Sequence, residues 1–132
     1  MACLAGTFLS VLVESCSTDK MVNAEMDKAG LVIPVSDFKK ADGSFRKYLV
    51  LQNEKLRYPV CIYRFSEMEY TALLMECTHQ NTELEVFGDK LQCPAHGSEF
   101  SDRGIVLNGP ADTNLRTFPV KIQNDRIHIS LI

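Results

Sequence analysis

From Gly30 to the C-terminus, apolar side chains recur with a period of two in short runs rich in β-branched and aromatic residues. The runs are LVIPVS, RKYLVLQ, RYPVCIYRF, YTALLMEC, ELEVF, KLQC, GIVLN, FPVKIQ and RIHISLI. Turn-forming residues separate them at Ala41-Asp42-Gly43-Ser44, Gly88-Asp89, Asn108-Gly109-Pro110 and Asn124-Asp125. Gly88-Asp89 has the composition of a two-residue type II′ hairpin turn. No long helical pattern is present in the sequence, which therefore predicts an all-β antiparallel sandwich or barrel.

A different pattern occupies the N-terminus, where residues 2–13 form the apolar run ACLAGTFLSVLV. The run is too short for a membrane-spanning helix, which needs about 20 residues, and is typical of the apolar region of a signal peptide. The basic residues that precede such a region are missing, so we expect the reading frame to begin further upstream. Cys16 follows Ser15 and lies three positions after Val13, as in a bacterial lipoprotein signal, although Glu14 departs from that pattern.

These features divide the chain into three predicted parts. Residues 1–16 are expected to be a signal or membrane-anchor segment, with a plain hydrophobic N-terminal segment as the alternative. Residues 17–29, STDKMVNAEMDKA, are mostly polar and predict a tether. The folded domain is expected over residues 30–132. We expect the protein at the cell envelope, on the periplasmic side of a membrane, with the cytoplasm as the alternative.

The composition narrows the choice of partners. The 132 residues suffice for one small domain, and 45% hydrophobic with 23% charged residues is ordinary for a globular protein. The formal net charge is −3, and no run of lysine or arginine could neutralise several phosphates together. We therefore expect no nucleic acid among the partners.

Five cysteines occur, at positions 3, 16, 61, 77 and 93, and their odd number and irregular spacing do not favour a disulfide framework. Cys61 lies in the apolar run PVCIYRF, which indicates a buried thiol that packs as a small hydrophobic side chain. His128 alternates within RIHISLI and is expected on a strand surface. Cys77 and Cys93 are the candidate functional cysteines, because each of them is close to a histidine in the sequence.

Cys77 and His79 form the motif C-T-H, and Cys93 and His96 form the motif C-P-A-H. The thirteen residues between His79 and Cys93 suffice for a hairpin that brings the two pairs face to face. Zinc is compatible with such donors, although its sites usually show C-x₂₋₄-C and H-x₃₋₅-H spacing. Covalent haem requires C-x-x-C-H, which is absent, and a Cys–His nucleophile would leave the second pair unexplained. A 2Fe–2S cluster in which two histidines replace two cysteines on one iron uses both pairs.

The motifs C-T-H and C-P-x-H-G-S, followed by Gly109-Pro110-Ala111, resemble the Rieske 2Fe–2S domain family over about residues 30–132. The resemblance implies a fold of stacked antiparallel sheets, a Rieske-type β-sandwich. It also implies a cluster-binding subdomain of loops and a short hairpin, about residues 76–112, at one tip.

For this sequence the resemblance implies four ligands of a 2Fe–2S cluster. Cys77 and Cys93 would bind the inner iron as thiolates, and His79 and His96 would bind the outer iron near the surface. The loop that contains Gly109 and Pro110 would cover the third side of the cluster and shield it from water.

The sequence departs from high-potential members of the family at three positions. Those members carry an extra cysteine in each ligand loop, joined as a disulfide, where this sequence has Thr82 (or its neighbour) and Ala95. They also place a serine and a tyrosine after the second histidine, whose hydroxyls donate hydrogen bonds to sulfur. Ser98 is retained, but Phe100 replaces the tyrosine. Because such hydrogen bonds stabilise the reduced cluster, we expect a potential below that of the quinol-oxidising members.

The resulting functional prediction is a one-electron carrier in a bacterial redox chain, with redox proteins as donor and acceptor and a membrane reached through the N-terminal anchor. The alternatives are a soluble Rieske ferredoxin for an oxygenase and a small electron-transfer subunit of a larger oxidoreductase, with a structural zinc module as a remote alternative. No stand-alone catalytic activity is expected, because the motifs use their nucleophiles as ligands.

Overall fold

The computed structural model describes residues 20–132, which contain thirteen short strands and one 3₁₀ turn, Val35–Phe38. The strands are β1 (Met21–Asn23), β2 (Glu25–Met26), β3 (Gly30–Pro34), β4 (Tyr48–Gln52), β5 (Val60–Arg64), β6 (Tyr70–Leu74), β7 (Glu85–Phe87), β8 (Lys90–Gln92), β9 (Glu99–Ser101), β10 (Val106–Asn108), β11 (Thr117–Phe118), β12 (Val120–Gln123) and β13 (Arg126–Ser130). Each apolar run in the sequence contains or overlaps at least one of these strands, so the predicted all-β fold is confirmed.

The strands form three sheets. The first sheet has the order β1-β4-β5-β6-β11, the second β10-β9-β8-β7, and the third β12-β13-β3-β2. The pairings within them are antiparallel, except that β1 pairs in parallel with β4. The second sheet lies within the region predicted to bind the cluster. This stacking of antiparallel sheets is the architecture that the sequence predicted.

The first sheet is the middle layer and is buried on both faces. Tyr48 and Val50 of β4 pack into a first core, which also contains residues of β8 and β9. Leu49 and Leu51 of the same strand pack into a second core, together with residues of β3 and β13. Because both faces are covered, β4 and β5 are apolar at successive positions instead of alternating with polar residues. Cys61 of β5 is fully buried in the first core, as predicted.

Two hairpin turns have the backbone conformations that their residue types favour. Gly88, between β7 and β8, has a φ of 62°, while Asp89 is not among the residues with positive φ, as a type II′ turn requires. Asn124 and Asp125, between β12 and β13, have φ values of 54° and 60°, the pattern of a type I′ turn. Both turns bring neighbouring strands into register without extra loop residues.

The structure describes residues 20–29 of the tether predicted over residues 17–29. It corrects the prediction there, because β1 joins the first sheet and β2 joins the third. Ala24 is buried in the second core, and Val22 and Met26 pack against that core. These three side chains alternate with polar residues in VNAEM and therefore face the same side of an extended chain. The pattern is a weak strand signal in the sequence because the apolar side chains are few and the intervening residues are strongly polar.

The predicted signal or anchor segment, residues 1–16, lies outside the described residues, and so does Cys16. Residues 20–132 contain no helical segment with the length and hydrophobicity that a bilayer crossing would need.

The end of β6 at Tyr70, which we call the basal end, is opposite the end that leads to Cys77. The Tyr63 hydroxyl donates a 2.9 Å hydrogen bond to the carbonyl of Gly88 here, joining the first sheet to the second. Burial raises the pKa of Tyr63 well above its ordinary value, so the hydroxyl keeps the proton that it donates.

Two ion pairs and one close approach complete the basal end. Arg103 contacts Glu69 at 2.9 Å, and Lys47 contacts Asp102 at 3.9 Å. Gly104 has a φ of 81°, and a Cβ at this position would lie 2.8 Å from a methyl carbon of Leu73. Glycine is therefore required where this turn meets the first sheet.

Candidate metal centre

Two loops of similar construction lie at the end of the molecule opposite the basal end. The first Cys-His loop, residues 77–82, is flanked by an antiparallel bridge between Glu76 and Glu83. The second Cys-His loop, residues 93–98, joins β8 to β9 and is flanked by the pair Gln92 and Glu99. Each loop therefore closes an antiparallel pair whose members are seven residues apart.

The two loops share their backbone hydrogen bonds. The N–H of Cys77 donates to the carbonyl of Thr82 at 2.8 Å, and the N–H of Asn81 donates to the carbonyl of Cys77 at 2.8 Å. In the second loop the N–H of Cys93 donates to the carbonyl of Ser98 at 2.8 Å, and the N–H of Gly97 donates to the carbonyl of Cys93 at 3.0 Å. Each cysteine is thus fixed through both of its backbone polar groups.

The fifth residue of each loop has a left-handed backbone. Asn81 has a φ of 57° and Gly97 a φ of 82°, and asparagine and glycine are the residues that adopt this conformation most readily. Both loops therefore share the pattern C-x₃-[N/G]-[T/S]. This repeated signal is present in the sequence, and it would have predicted that the loops are equivalent.

The two thiols lie inside the protein. Cys77 is 0% exposed and Cys93 is 2% exposed, and both belong to the first core together with Leu91 and Phe100. Neither cysteine forms a disulfide. Their sulfur atoms are therefore held in an apolar surrounding at the outer end of the core.

The two imidazoles lie at the surface beside each other. His79 and His96 are exposed, and their ring centroids are 5.9 Å apart with an angle of 70° between the ring planes. Sixteen residues lie between them along the chain, and the hairpin of β7 and β8 within that stretch brings them together. The site thus presents two buried sulfur donors and two adjacent exposed nitrogen donors.

A third segment, residues 109–113, is tied to both loops. The Ser98 hydroxyl accepts a 3.0 Å hydrogen bond from the N–H of Ala111, and Ser98 is completely buried. The Thr78 hydroxyl donates a 2.6 Å hydrogen bond to the carbonyl of Thr113. Gly109 and Pro110, joined by a cis peptide bond, are exposed at the start of this segment.

The four donors divide into two chemically different pairs. Two inner sulfurs and two outer nitrogens match the donor set of a two-iron cluster that has different ligands on each iron. Ser98 accepts the bond from Ala111 through its oxygen, so its hydroxyl proton is not used in that bond. The resemblance to the family implies a sulfur as the acceptor of that proton. The residues present fit a 2Fe–2S cluster.

A family model described as the Rieske [2Fe-2S] domain matches residues 28–119. The chain belongs to this family. The resemblance inferred from the motifs is confirmed, and the cofactor of this Rieske domain is a Rieske-type 2Fe–2S cluster.

Two curated relatives carry the same domain. The cytochrome b6-f complex iron-sulfur subunit of Chlorobaculum tepidum is 30% identical over 63 residues, which are 46% of this chain and 35% of that protein. The ferredoxin component of the naphthalene 1,2-dioxygenase system of Pseudomonas putida is 36% identical over 59 residues, which are 42% of this chain and 57% of that protein. The chain thus matches about a third of the first relative and just over half of the second.

Solved structures agree on the fold. The plasma membrane Rieske protein PetC3 from Synechocystis PCC 6803 superposes with a TM-score of 0.55 at 28% identity, over 64% of this chain and 86% of that chain. The Sphingomonas yanoikuyae B1 ferredoxin superposes with a TM-score of 0.53 at 22% identity, over 75% of this chain and 94% of that chain. At the latter identity the likeness concerns the fold alone.

Thr82, Ala95 and Phe100 are the three positions at which the sequence differs from high-potential members of the family. All three lie in or next to the two Cys-His loops. Thr82 ends the first loop and is half-buried, while Ala95 is exposed in the second loop. Phe100 is fully buried in the first core of this Rieske domain, together with Cys77 and Cys93. Its ring has no polar atom to offer a sulfur.

One contact of the first loop was not anticipated from the sequence. The hydroxyl of Tyr58, in the connection between β4 and β5, donates a 2.7 Å hydrogen bond to the carbonyl of Asn81. The side-chain amide of Asn81 donates in turn to the Glu76 carboxylate at 2.5 Å. Tyr58 lies 23 residues from Asn81 along the chain, so no local pattern could have predicted the contact.

Proposed function

We propose that Cys77, Cys93, His79 and His96 hold the 2Fe–2S cluster and that the chain carries single electrons through the exposed histidine side. The observation that carries this proposal is the contrast between two sulfur donors inside the core and two neighbouring imidazoles at the surface. When bound, the cluster supplies a one-electron redox couple. The protein supplies the rest: apolar walls around the sulfurs, and a short path to solvent through the histidines. Residues 30–132, with the subdomain over about 76–112, would form the electron-carrying unit.

The ligand assignment is tested by electron paramagnetic resonance of the dithionite-reduced protein. We expect a rhombic signal of low average g for the wild type. Cys77→Ser should abolish this signal, and His79→Cys should abolish it or raise the average g, because sulfur replaces nitrogen on one iron. The matched controls are Cys61→Ala and His128→Asn, which change the same residue types elsewhere.

Each control should keep the wild-type signal. A reduced protein that gives no paramagnetic resonance signal and contains stoichiometric zinc would refute the cluster. A His128→Asn spectrum as altered as that of His79→Cys would refute the choice of ligands.

We further propose that this carrier serves a redox chain at the cell envelope, with an anchor supplied by residues 1–16. The apolar run over residues 2–13 and the position of Cys16 support this proposal, as does the similarity to a cytochrome b6-f complex iron-sulfur subunit. Mass spectrometry of protein expressed from the full reading frame tests it. A cleaved N-terminus with lipid on Cys16 is expected, and an unmodified, uncleaved N-terminus would eliminate the lipoprotein.

The similarity to an oxygenase ferredoxin component favours a second candidate, a ferredoxin that supplies electrons to an oxygenase. The two candidates differ in location, because the ferredoxin would be found in the soluble fraction of the cytoplasm. Fractionation of cells that express the full reading frame separates them. Recovery with the membranes supports the envelope carrier, and recovery with the cytoplasm supports the ferredoxin.

A further inference from the structure

Three buried polar atoms at the basal end have no hydrogen-bond partner within residues 20–132. They are the Nε atoms of Arg46 and Arg64 and the hydroxyl oxygen of Tyr70. Buried polar groups are nearly always bonded, because an unbonded one loses its hydration without compensation. The nitrogens of an arginine can only donate. Both guanidinium groups therefore require an acceptor that the described part of the chain does not supply.

The three side chains lie in one neighbourhood. Arg64 of β5 and Tyr70 of β6 are directly paired residues, so their side chains lie side by side on one face of the first sheet. The Tyr70 ring packs against Phe38 with a centroid distance of 5.4 Å. The Phe38 carbonyl accepts a 2.7 Å hydrogen bond from the N–H of Arg46. The acceptor is therefore needed at one place beside Phe38.

The guanidinium of Arg64 is already oriented. Its central carbon lies over the ring of Phe45, 3.9 Å from the ring centroid. Stacking of this kind uses the flat face of the guanidinium and leaves the N–H groups at its edge free to donate. Neither Arg64 nor Arg46 forms an ion pair within residues 20–132. This holds although two acids, Asp37 and Glu67, are close to them in the sequence.

A second stacked arginine at the basal end does have an anionic partner. The central carbon of Arg103 lies 4.0 Å from the ring centroid of Phe65, and its guanidinium contacts the Glu69 carboxylate at 2.9 Å. Arg64 has the same stacked arrangement without the carboxylate. The comparison indicates that an anionic oxygen is the acceptor that Arg64 requires.

The chain beside this place is basic. Residues 39–47, KKADGSFRK, contain four cations and one acid. The acid is Asp42, whose carboxylate accepts hydrogen bonds from the N–H and the hydroxyl of Ser44 at 2.9 and 2.6 Å. Lys39 and Lys40 are exposed and form no ion pair with the residues that the structure describes. Their charge raises the local concentration of anions.

We propose that Arg46, Arg64 and Tyr70 form a site that binds a phosphate group, carried by a free phosphate compound or by a lipid headgroup. Phosphate oxygens accept paired hydrogen bonds from guanidinium groups, and the Tyr70 hydroxyl donates a further one. The site is at the end of the molecule opposite the two Cys-His loops, so it goes beyond the electron-carrier function. Where the phosphate belongs to a lipid, the basal end rests on the membrane and the two histidines face away from it.

The test follows the Nε–H resonances of Arg46 and Arg64 in proton–nitrogen correlation spectra of the oxidised, cluster-containing protein. Inorganic phosphate is added at constant ionic strength, with sodium chloride as the balancing salt. We expect both resonances to shift and to saturate with phosphate, whereas chloride alone leaves them in place. The melting temperature should rise along the same titration, because the ligand binds the folded state.

Arg64→Gln should weaken phosphate binding at least about tenfold, because it removes a charged donor. The matched control is Arg103→Gln, which removes an arginine that is equally stacked but already paired, and it should bind phosphate as the wild type does. Tyr70→Phe keeps the ring and should weaken binding about three- to tenfold. In buffer without phosphate Tyr70→Phe should lose no stability, because its hydroxyl has no partner there. This variant tests the site even if Arg64→Gln does not fold.

Co-sedimentation with vesicles in buffer without phosphate distinguishes the two sources. Binding to vesicles that contain phosphatidylglycerol, but not to phosphatidylcholine alone, identifies a lipid headgroup if Arg64→Gln abolishes it and Arg103→Gln does not. A response to inorganic phosphate without vesicle binding identifies a free phosphate compound. Absence of both responses would overturn the proposal, since a bound water would then be the acceptor. Equal losses of binding in the two arginine variants would overturn it as well.

Discussion

Replacing Ser98 by alanine removes a hydroxyl that the structure places between the second Cys-His loop and the segment over it. The N–H of Ala111, now bonded to this hydroxyl at 3.0 Å in a buried position, would lose its acceptor. An unsatisfied buried donor costs about 1–3 kcal/mol, so the free energy of unfolding should fall by that amount. The same substitution removes the hydroxyl proton that the resemblance to the family assigns as a donor to a cluster sulfur.

The effect on the reduction potential follows from the charge of the cluster. Reduction makes the cluster more negative, so a donated hydrogen bond stabilises the reduced form more than the oxidised form. A hydrogen bond to a charged group contributes about 1.5–3 kcal/mol. At about 59 mV for each tenfold change in a one-electron equilibrium, the potential should fall by up to about 60–130 mV.

The assay is a redox titration at neutral pH, monitored by the cluster's absorbance, with thermal unfolding measured on the same samples. Ser101→Ala is the matched control. The Ser101 hydroxyl also accepts hydrogen bonds from backbone N–H groups, those of Arg103 at 3.1 Å and Ile105 at 3.2 Å, but it lies at the far end of β9. Ser101→Ala should lower stability without changing the potential. A potential for Ser98→Ala equal to that of the wild type, or equal shifts in both variants, would refute the reasoning.

Three further substitutions test neighbouring parts of the structure. Phe100→Tyr would add a hydroxyl beside the buried thiols and should raise the potential by up to about 60–130 mV; a lowered potential in a titration would contradict this. Tyr58→Phe removes the 2.7 Å hydrogen bond to the Asn81 carbonyl. The cluster should then be lost faster in the presence of a chelator, as measured by absorbance. An unchanged rate would show that this hydrogen bond does not stabilise the first loop. Gly104→Ala should lower the free energy of unfolding by at least about 1–2 kcal/mol because its φ of 81° and its 2.8 Å approach to Leu73 leave no room for a methyl group. Denaturant unfolding measures this loss, and wild-type stability would be the contrary result.

The sequence predicted the local elements of this fold well. Strands such as β5 and β13 are recognisable because period and β-branched residues are properties of neighbouring positions. The Gly88 turn followed from the same kind of local chemistry. The prediction failed at β1 and β2. Their few apolar residues are a weak strand signal, and these segments become strands by pairing with β4 and β3.

Cys77, His79, Cys93 and His96 could be selected from the sequence because two short motifs carry a thiol and an imidazole each. The resemblance to the family also implied inner thiolates and outer histidines. The folded chain adds the contacts: the thiols belong to the first core, and the two histidine rings lie 5.9 Å apart.

The sequence by itself determined the strands, the hairpin turns, the donor residues and the family of this protein, because each depends on residues close together in the chain. The tertiary structure decided which sheet is buried on both faces, how Ser98 holds Ala111, and how Tyr58 reaches Asn81. It also decided that the pairing of β10 with β9 is irregular between Val106 and Asn108, where Leu107 is exposed. The physical reason is that these features depend on contacts between segments distant in sequence, whose partners no local pattern specifies.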